Sequence, residues 1–85
     1  MPRSIFSAPY GELLRLLVKA RRDAGLRQVD LAGRLGKPQS FVSKLERGER
    51  RVDVVELVLV VRAIGVDEVA FLATVVEAIP KKARL

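Results

Sequence analysis

Residues 28–51 read QVDLAGRLGKPQSFVSKLERGERR, and the punctuation inside this stretch decides the fold. Gly36 suits a helix stop and Pro38 a helix start, so two short helices are predicted, over 28–35 and 39–46, with a tight turn between them. Leu31, Ala32 and Leu35 make the inner face of the first helix. Phe41, Val42 and Leu45 leave the second with one narrow apolar stripe, and Gly48 closes it. The remaining positions of that helix are glutamine, serine and lysine, so a polar surface is being offered to a partner.

Working outward, PYGELLRLLVKARRDAG (9–25) places Leu13, Leu17, Ala20 and Ala24 at spacings of four, three and four, which predicts a helix from about Pro9 to Ala24 stopped by Gly25. Downstream, Asp53 and Glu56 have the spacing of a capping box, with Val52 and Leu57 as a hydrophobic staple, so a fourth helix is predicted from there to Ile64. Asp67 and Glu68 open a fifth, stapled by Val66 and Phe71, which must end before Pro80. No segment alternates with period two for long enough to demand a strand. The prediction is an all-α, five-helix single domain over 9–79, with a loose arm at 1–8 and a frayed tail at 80–85.

Eighty-five residues suffice for one core and not for two. There is no cysteine and no histidine, which removes disulfides, thiolate zinc sites and the commonest general base. The acidic residues stand at helix starts or beside arginine and lysine rather than in apolar surroundings, so no catalytic residue, metal ligand or cofactor is expected, and no enzyme. The longest apolar run, LVLVV at 57–61, falls far short of the roughly 18 to 20 residues of a membrane span. The first residues lack the apolar stretch of a secretory signal, so the expectation is a cytoplasmic protein that does not enter a membrane. Net charge is +6, and residues 1–51 hold 12 basic and 5 acidic side chains against 4 and 5 in residues 52–85. A basic half that contains the exposed polar helix favours a polyanion as partner.

Two short helices across a glycine turn are the parts of a helix-turn-helix. Each position it constrains is suitably filled: Ala32 where the helices cross, Gly36 where positive φ is needed, Val42 and Leu45 as the stripe buried against the first helix. The stretch ARRDAGLRQVDLAGRLGKPQSFVSKLERGERR (20–51) resembles the Cro and lambda-repressor class of helix-turn-helix regulators, the XRE family, and the resemblance covers about residues 13–66. It implies a compact lambda-repressor-like domain with the helix-turn-helix at about 28–47, acting as a sequence-specific transcriptional regulator, a repressor of bacterial or phage origin. The third helix would enter the major groove of double-stranded DNA. Carried over by position, Gln39, Ser40 and Lys44, with Ser43 beside them, would read bases; independently, glutamine suits the adenine N6 and N7 edge and lysine suits guanine O6 and N7. Arg27, Gln28, Arg47, Arg50 and Arg51 would contact phosphates, Gln28 at a helix N-terminus that favours an anion. In some relatives a loop arginine enters the minor groove, a role open to Arg50 or Arg51. Arg21 and Glu46 match a family ion pair joining the first helix to the end of the third. The chain departs from the pattern where Arg27 and Pro38 replace the usual Ser or Thr caps, and Gly33 stands where a better helix former is expected.

The chain has more apolar residues than one small core requires. Val55, Val58 and Leu59 are surplus on the fourth helix, and DEVAFLATVVEAI (67–79) is apolar around most of its circumference. This predicts a homodimer through the last helix, with Phe71, Leu72, Val75, Val76 and Ile79 at the interface and a near-palindromic DNA target. Two alternatives stand beside it: the last helix folds back to complete a single core, or the chain is an antitoxin-type interaction module whose apolar helices bind a protein partner.

Overall fold

Leu17, Val42 and Val61 are the most completely buried large side chains, and each comes from a different helix. The computed structural model describes residues 8–85, and among these it has five helices and no strand: α1 Ala8–Asp23, α2 Gln28–Leu35, α3 Gln39–Glu46, α4 Val54–Ile64 and α5 Glu68–Ala78. Around the central three residues, Leu14, Leu31, Leu45, Val60, Ile64 and Phe71 complete a core to which every helix contributes. α2 packs on α3 and α4, while α1 lies against α3, α4 and α5.

The helix ends are made by local chemistry. Gly36 adopts φ 67° and ψ 33°, and the Lys37 N–H then reaches back to the Ala32 carbonyl at 3.0 Å, which turns the chain sharply between α2 and α3. Asp53 caps α4 by accepting the Glu56 N–H at 2.7 Å, while Glu56 Oε1 accepts the Asp53 N–H at 3.1 Å. Asp67 caps α5 through the Ala70 N–H at 2.9 Å.

Arg27 has no side-chain acceptor with which to cap α2. Instead its backbone N–H donates to Asp30 Oδ2 at 2.8 Å, so only the reciprocal half of a capping box is present. Pro38 is the extended residue before α3, with φ −71° and ψ 157°, and not the first helical residue. Its carbonyl accepts the Phe41 N–H at 3.0 Å, which starts the helix without a side-chain cap.

Three boundaries differ from expectation. α1 begins at Ala8, inside the segment expected to be an arm, and residues 1–7 of that segment lie outside the described residues. α1 ends at Asp23, one residue early, because the Gly25 N–H turns to the Arg22 carbonyl. The tail, expected to fray, makes a turn in which the Ala83 N–H donates to the Pro80 carbonyl at 3.0 Å.

α5 divides the residues expected at the interface between two faces. Phe71 and Val75 are each only 6% exposed and belong to the monomer's own core, so they present no surface to a second chain. Ile79 is half-buried against the same core. Leu72 and Val76 point outward at 52% and 62% exposure, together with Val69. The helix thus completes the core with one face and leaves an apolar face open with the other.

Candidate nucleic-acid interface

At about 100° per residue, Gln39, Ser43, Arg47, Ser40 and Lys44 follow one another around an arc of roughly 140° on α3 and its first following residue. Val42 and Leu45 lie on the opposite side and are buried, so packing of that stripe turns the polar arc to solvent. Gln39, Ser40, Lys44 and Arg47 are exposed, and Ser43 is half-buried. Among the described residues no hydrogen bond or ion pair engages the side chain of Ser40 or Lys44.

Gln39 is held from behind by a chain of polar contacts. Arg21 Nε donates to Glu46 Oε2 at 2.6 Å and Arg21 Nη2 to Oε1 at 3.0 Å, with 7% of each side chain exposed. Arg21 Nη1 also donates to the Leu26 carbonyl at 2.8 Å. Two parallel bonds and a third to the backbone satisfy a guanidinium that burial would otherwise penalise. The pair thereby ties α1 to the last residue of α3.

Glu46 Oε1 accepts a further bond, from Gln28 Nε2 at 2.9 Å, and Gln28 Oε1 in turn accepts from Gln39 Nε2 at 3.0 Å. An ionised carboxylate only accepts, so Gln28 must present its amide NH2 to Glu46 and its oxygen to Gln39. Gln39 keeps its own oxygen and its second amide hydrogen for an outside partner. Gln28, expected to contact phosphate, here orients the first residue of α3. Neither the link from Gln28 to Glu46 nor the one to Gln39 is visible in the one-dimensional pattern, although both glutamines open a helix.

The arginines expected on phosphate occupy three settings. Arg27 is bidentate on Asp30 at 3.0 Å for both Nε and Nη2, and is itself exposed. These bonds, with the one from the Arg27 backbone N–H, hold the Asp30 carboxyl down at about 2. Arg47 donates to Glu49 Oε2 at 2.7 Å and to Ser43 Oγ, and the same ion pair lowers the Glu49 carboxyl. Both guanidiniums lie at the surface on carboxylates that a phosphate can displace.

Arg50 and Arg51 are seated on rings. The Arg50 guanidinium lies 4.6 Å from the Phe41 ring centre and is bidentate on Glu56, whose carboxyl it holds down at about 2, aided by the Asp53 backbone N–H. Arg51 lies 4.3 Å from the ring centre of Tyr10, whose hydroxyl accepts the Val52 N–H at 3.0 Å. Both rings precede this loop in the sequence, Tyr10 by about 40 residues, so no local spacing in the sequence signals either contact.

Residues 17–71 match the helix-turn-helix family model, a span that includes the glycine turn, the polar arc and the buried ion pair. The chain belongs to the XRE-like helix-turn-helix family. It is a family of DNA-binding transcription regulators rather than of enzymes. An XRE-family-like protein from Pseudomonas syringae pv. tomato is 51% identical, superposes with a TM-score of 0.81, and matches over 86% of this chain and 89% of that one. A point variant of the restriction-modification controller protein C.Esp1396I is 25% identical with a TM-score of 0.78, over 93% of this chain and 100% of its own. The HTH-type transcriptional regulator y4dJ of Sinorhizobium fredii is 39% identical over 51 residues, 60% of this chain. That match spans 66% of the relative's length. No helix among the described residues is long and apolar enough to cross a membrane.

Proposed function

We propose that this family member is a sequence-specific repressor that binds a near-palindromic operator as a homodimer in the cytoplasm of a bacterium. The observation that carries this reading is the polar arc of α3, directed outward by its buried stripe and backed by the Arg21–Glu46–Gln28–Gln39 chain. In the major groove Gln39 uses its free oxygen and second amide hydrogen on the adenine N6 and N7 edge, and Lys44 donates to guanine O6 or N7. Ser40 and Ser43 lie between them, with Ser43 partly spent on Arg47. Arg27 and Arg47 exchange their carboxylates for phosphates, and Gln28 adds its place at the α2 N-terminus.

The second copy covers the apolar faces that the monomer leaves open. Leu72, Val76 and Val69 on α5 and Val54, Val55 and Leu59 on α4 are 52% to 75% exposed, large apolar side chains suited to burial against another apolar surface. A two-fold pair presents its α3 helices about 34 Å apart, one turn of DNA. Repression then follows from occupancy of an operator that overlaps a promoter.

Selection of random duplexes on the purified protein at about 150 mM salt tests the reading. The expected product is a near-palindrome whose preference relaxes at particular positions in Gln39→Ala and Lys44→Ala. Absence of any enriched sequence would overturn it in favour of an interaction module, a reading that the open apolar faces of α4 and α5 also support.

A further inference from the structure

Arg50 lies half-exposed along the surface, with its guanidinium engaged by its own chain. Its Nη1 donates to Glu56 Oε1 at 3.1 Å and to the Arg51 carbonyl at 3.1 Å, and its Nη2 donates to Glu56 Oε2 at 2.7 Å. The guanidinium at the same time covers the Phe41 ring, which Lys37 also approaches at 5.5 Å. Phe41 belongs to α3, and Glu56 to the first turn of α4, where it completes the cap with Asp53. The α2–α3 turn, the reading helix, the following loop and the start of α4 therefore converge on one ring.

Three of the five guanidinium N–H donors of Arg50 are thus engaged within the chain, which holds its planar group against the ring. A planar fork that meets a carboxylate with two parallel donors while lying on an aromatic face is suited to holding, and lysine could not reproduce it. α4 also carries Val54 and Val55, 75% and 68% exposed, immediately before Glu56 and on the surface assigned above to the second copy. One end of the Arg50 link is thus on the helix that reads DNA, and the other is next to the proposed contact between copies.

We infer that Arg50 is a positioning residue, which fixes α3 relative to α4 and so sets the half-site spacing that a pair of these chains accepts on DNA. The inference rests on the dimeric DNA-binding reading. It predicts that spacing and not phosphate attraction is what Arg50 controls.

The test uses the full chain and duplexes carrying the selected half-sites at the selected spacing, one base pair longer, one shorter, and as a single half-site. Arg50→Met keeps an apolar stem on Phe41 and removes every donor; Glu56→Gln keeps an acceptor for the Asp53 N–H and weakens the pair from its other end. For both variants the preference for the selected spacing over its neighbours is expected to fall by about tenfold, the equilibrium factor that one charged hydrogen bond commands. The logarithmic salt slope of Arg50→Met is expected to stay at the wild-type value. A slope lowered by roughly 0.9 would make Arg50 a phosphate contact and overturn the inference. Unchanged spacing preference with a lowered melting temperature, or failure of both variants to fold, would leave only a structural role and overturn it as well. If the unaltered protein shows no spacing preference, or selects no sequence at all, the dimeric reading itself fails and this inference falls with it.

Discussion

α3 and α5 each bury two residues, Val42 and Leu45 in one, Phe71 and Val75 in the other, yet their outer faces are opposites. Outside α3 stand Gln39, Ser40 and Lys44; outside α5 stand Val69, Leu72 and Val76. Their attachments differ too. α3 is anchored at its end by a buried ion pair, and α5 is held by apolar packing beneath it together with an exposed bridge from Arg62 to Glu68. An apolar stripe explains how a helix is held, whereas the chemistry of its outer face indicates what it is held for. Polar groups that keep unused donors and acceptors suit base edges in water, and exposed valine and leucine suit a second apolar surface.

The contrast in attachment is broken most severely at Glu46. Glu46→Ala leaves Arg21 buried without its partner and should cost about 3–5 kcal/mol. For a domain of this size that lowers the melting midpoint by more than about 10 °C, and an unchanged midpoint would reject the anchoring role. Replacing Arg21 and Glu46 together by methionine should recover much of the loss, because no uncompensated charge is left behind. Next in size is Gln39→Ala, expected to cost about 1–3 kcal/mol of binding free energy, concentrated at one base pair and its symmetry mate. A loss spread uniformly over all operator positions in a binding titration would reassign Gln39 to the backbone.

How much of this contrast was legible beforehand depends on how far apart the interacting groups lie. The capping box of Asp53 and Glu56 and the turn at Gly36 are written within a few residues, and the helices fall where those residues put them. The Arg21–Glu46 pair spans 25 positions and came from the family pattern rather than from local chemistry. For α5 the pattern was silent on which face is buried: a helix apolar nearly all round carries no periodic signal that separates Phe71 and Val75 from Leu72 and Val76. For Arg50 a linear chain shows the charge but neither the Phe41 ring beneath it nor the carboxylate opposite. The second task of Gln28 was hidden similarly, since its partners Glu46 and Gln39 lie on another helix.

Acid should act first on the polar attachments. Glu56 titrates at about 2 in the folded chain against an ordinary 4.5, and Asp30 at about 2 against 3.8. A depressed folded pKa contributes stability that is complete above the ordinary value and lost as pH falls through the folded one. Melting midpoints should therefore decline from about pH 4.5 toward about pH 2, with part of that decline missing in Glu56→Gln. A midpoint that is indifferent to pH across that window would show that neither carboxylate is held as described. A smaller gain is expected from Gly33→Ala: a methyl group there meets nothing within 4 Å, and alanine should add about 0.8–1.0 kcal/mol to α2 in a thermal melt.

The smallest effect on the monomer fold, and the sharpest test of the outer face of α5, is expected for Leu72→Lys. At 52% exposure this side chain contributes little to the core, so the folding free energy should change by no more than about 0.5 kcal/mol. A lysine can lie across an apolar surface with its ammonium in water when α5 is free, but not when a symmetric copy brings a second lysine against it. Sedimentation should then move from a dimer mass to a monomer mass while the melt of the isolated domain hardly shifts. If Leu72→Lys instead destabilises the fold as strongly as Glu46→Ala, the outer face of α5 is part of the core after all. If the dimer survives the change, the second copy sits elsewhere, and the exposed Val54, Val55 and Leu59 of α4 become the face on which to repeat the substitution.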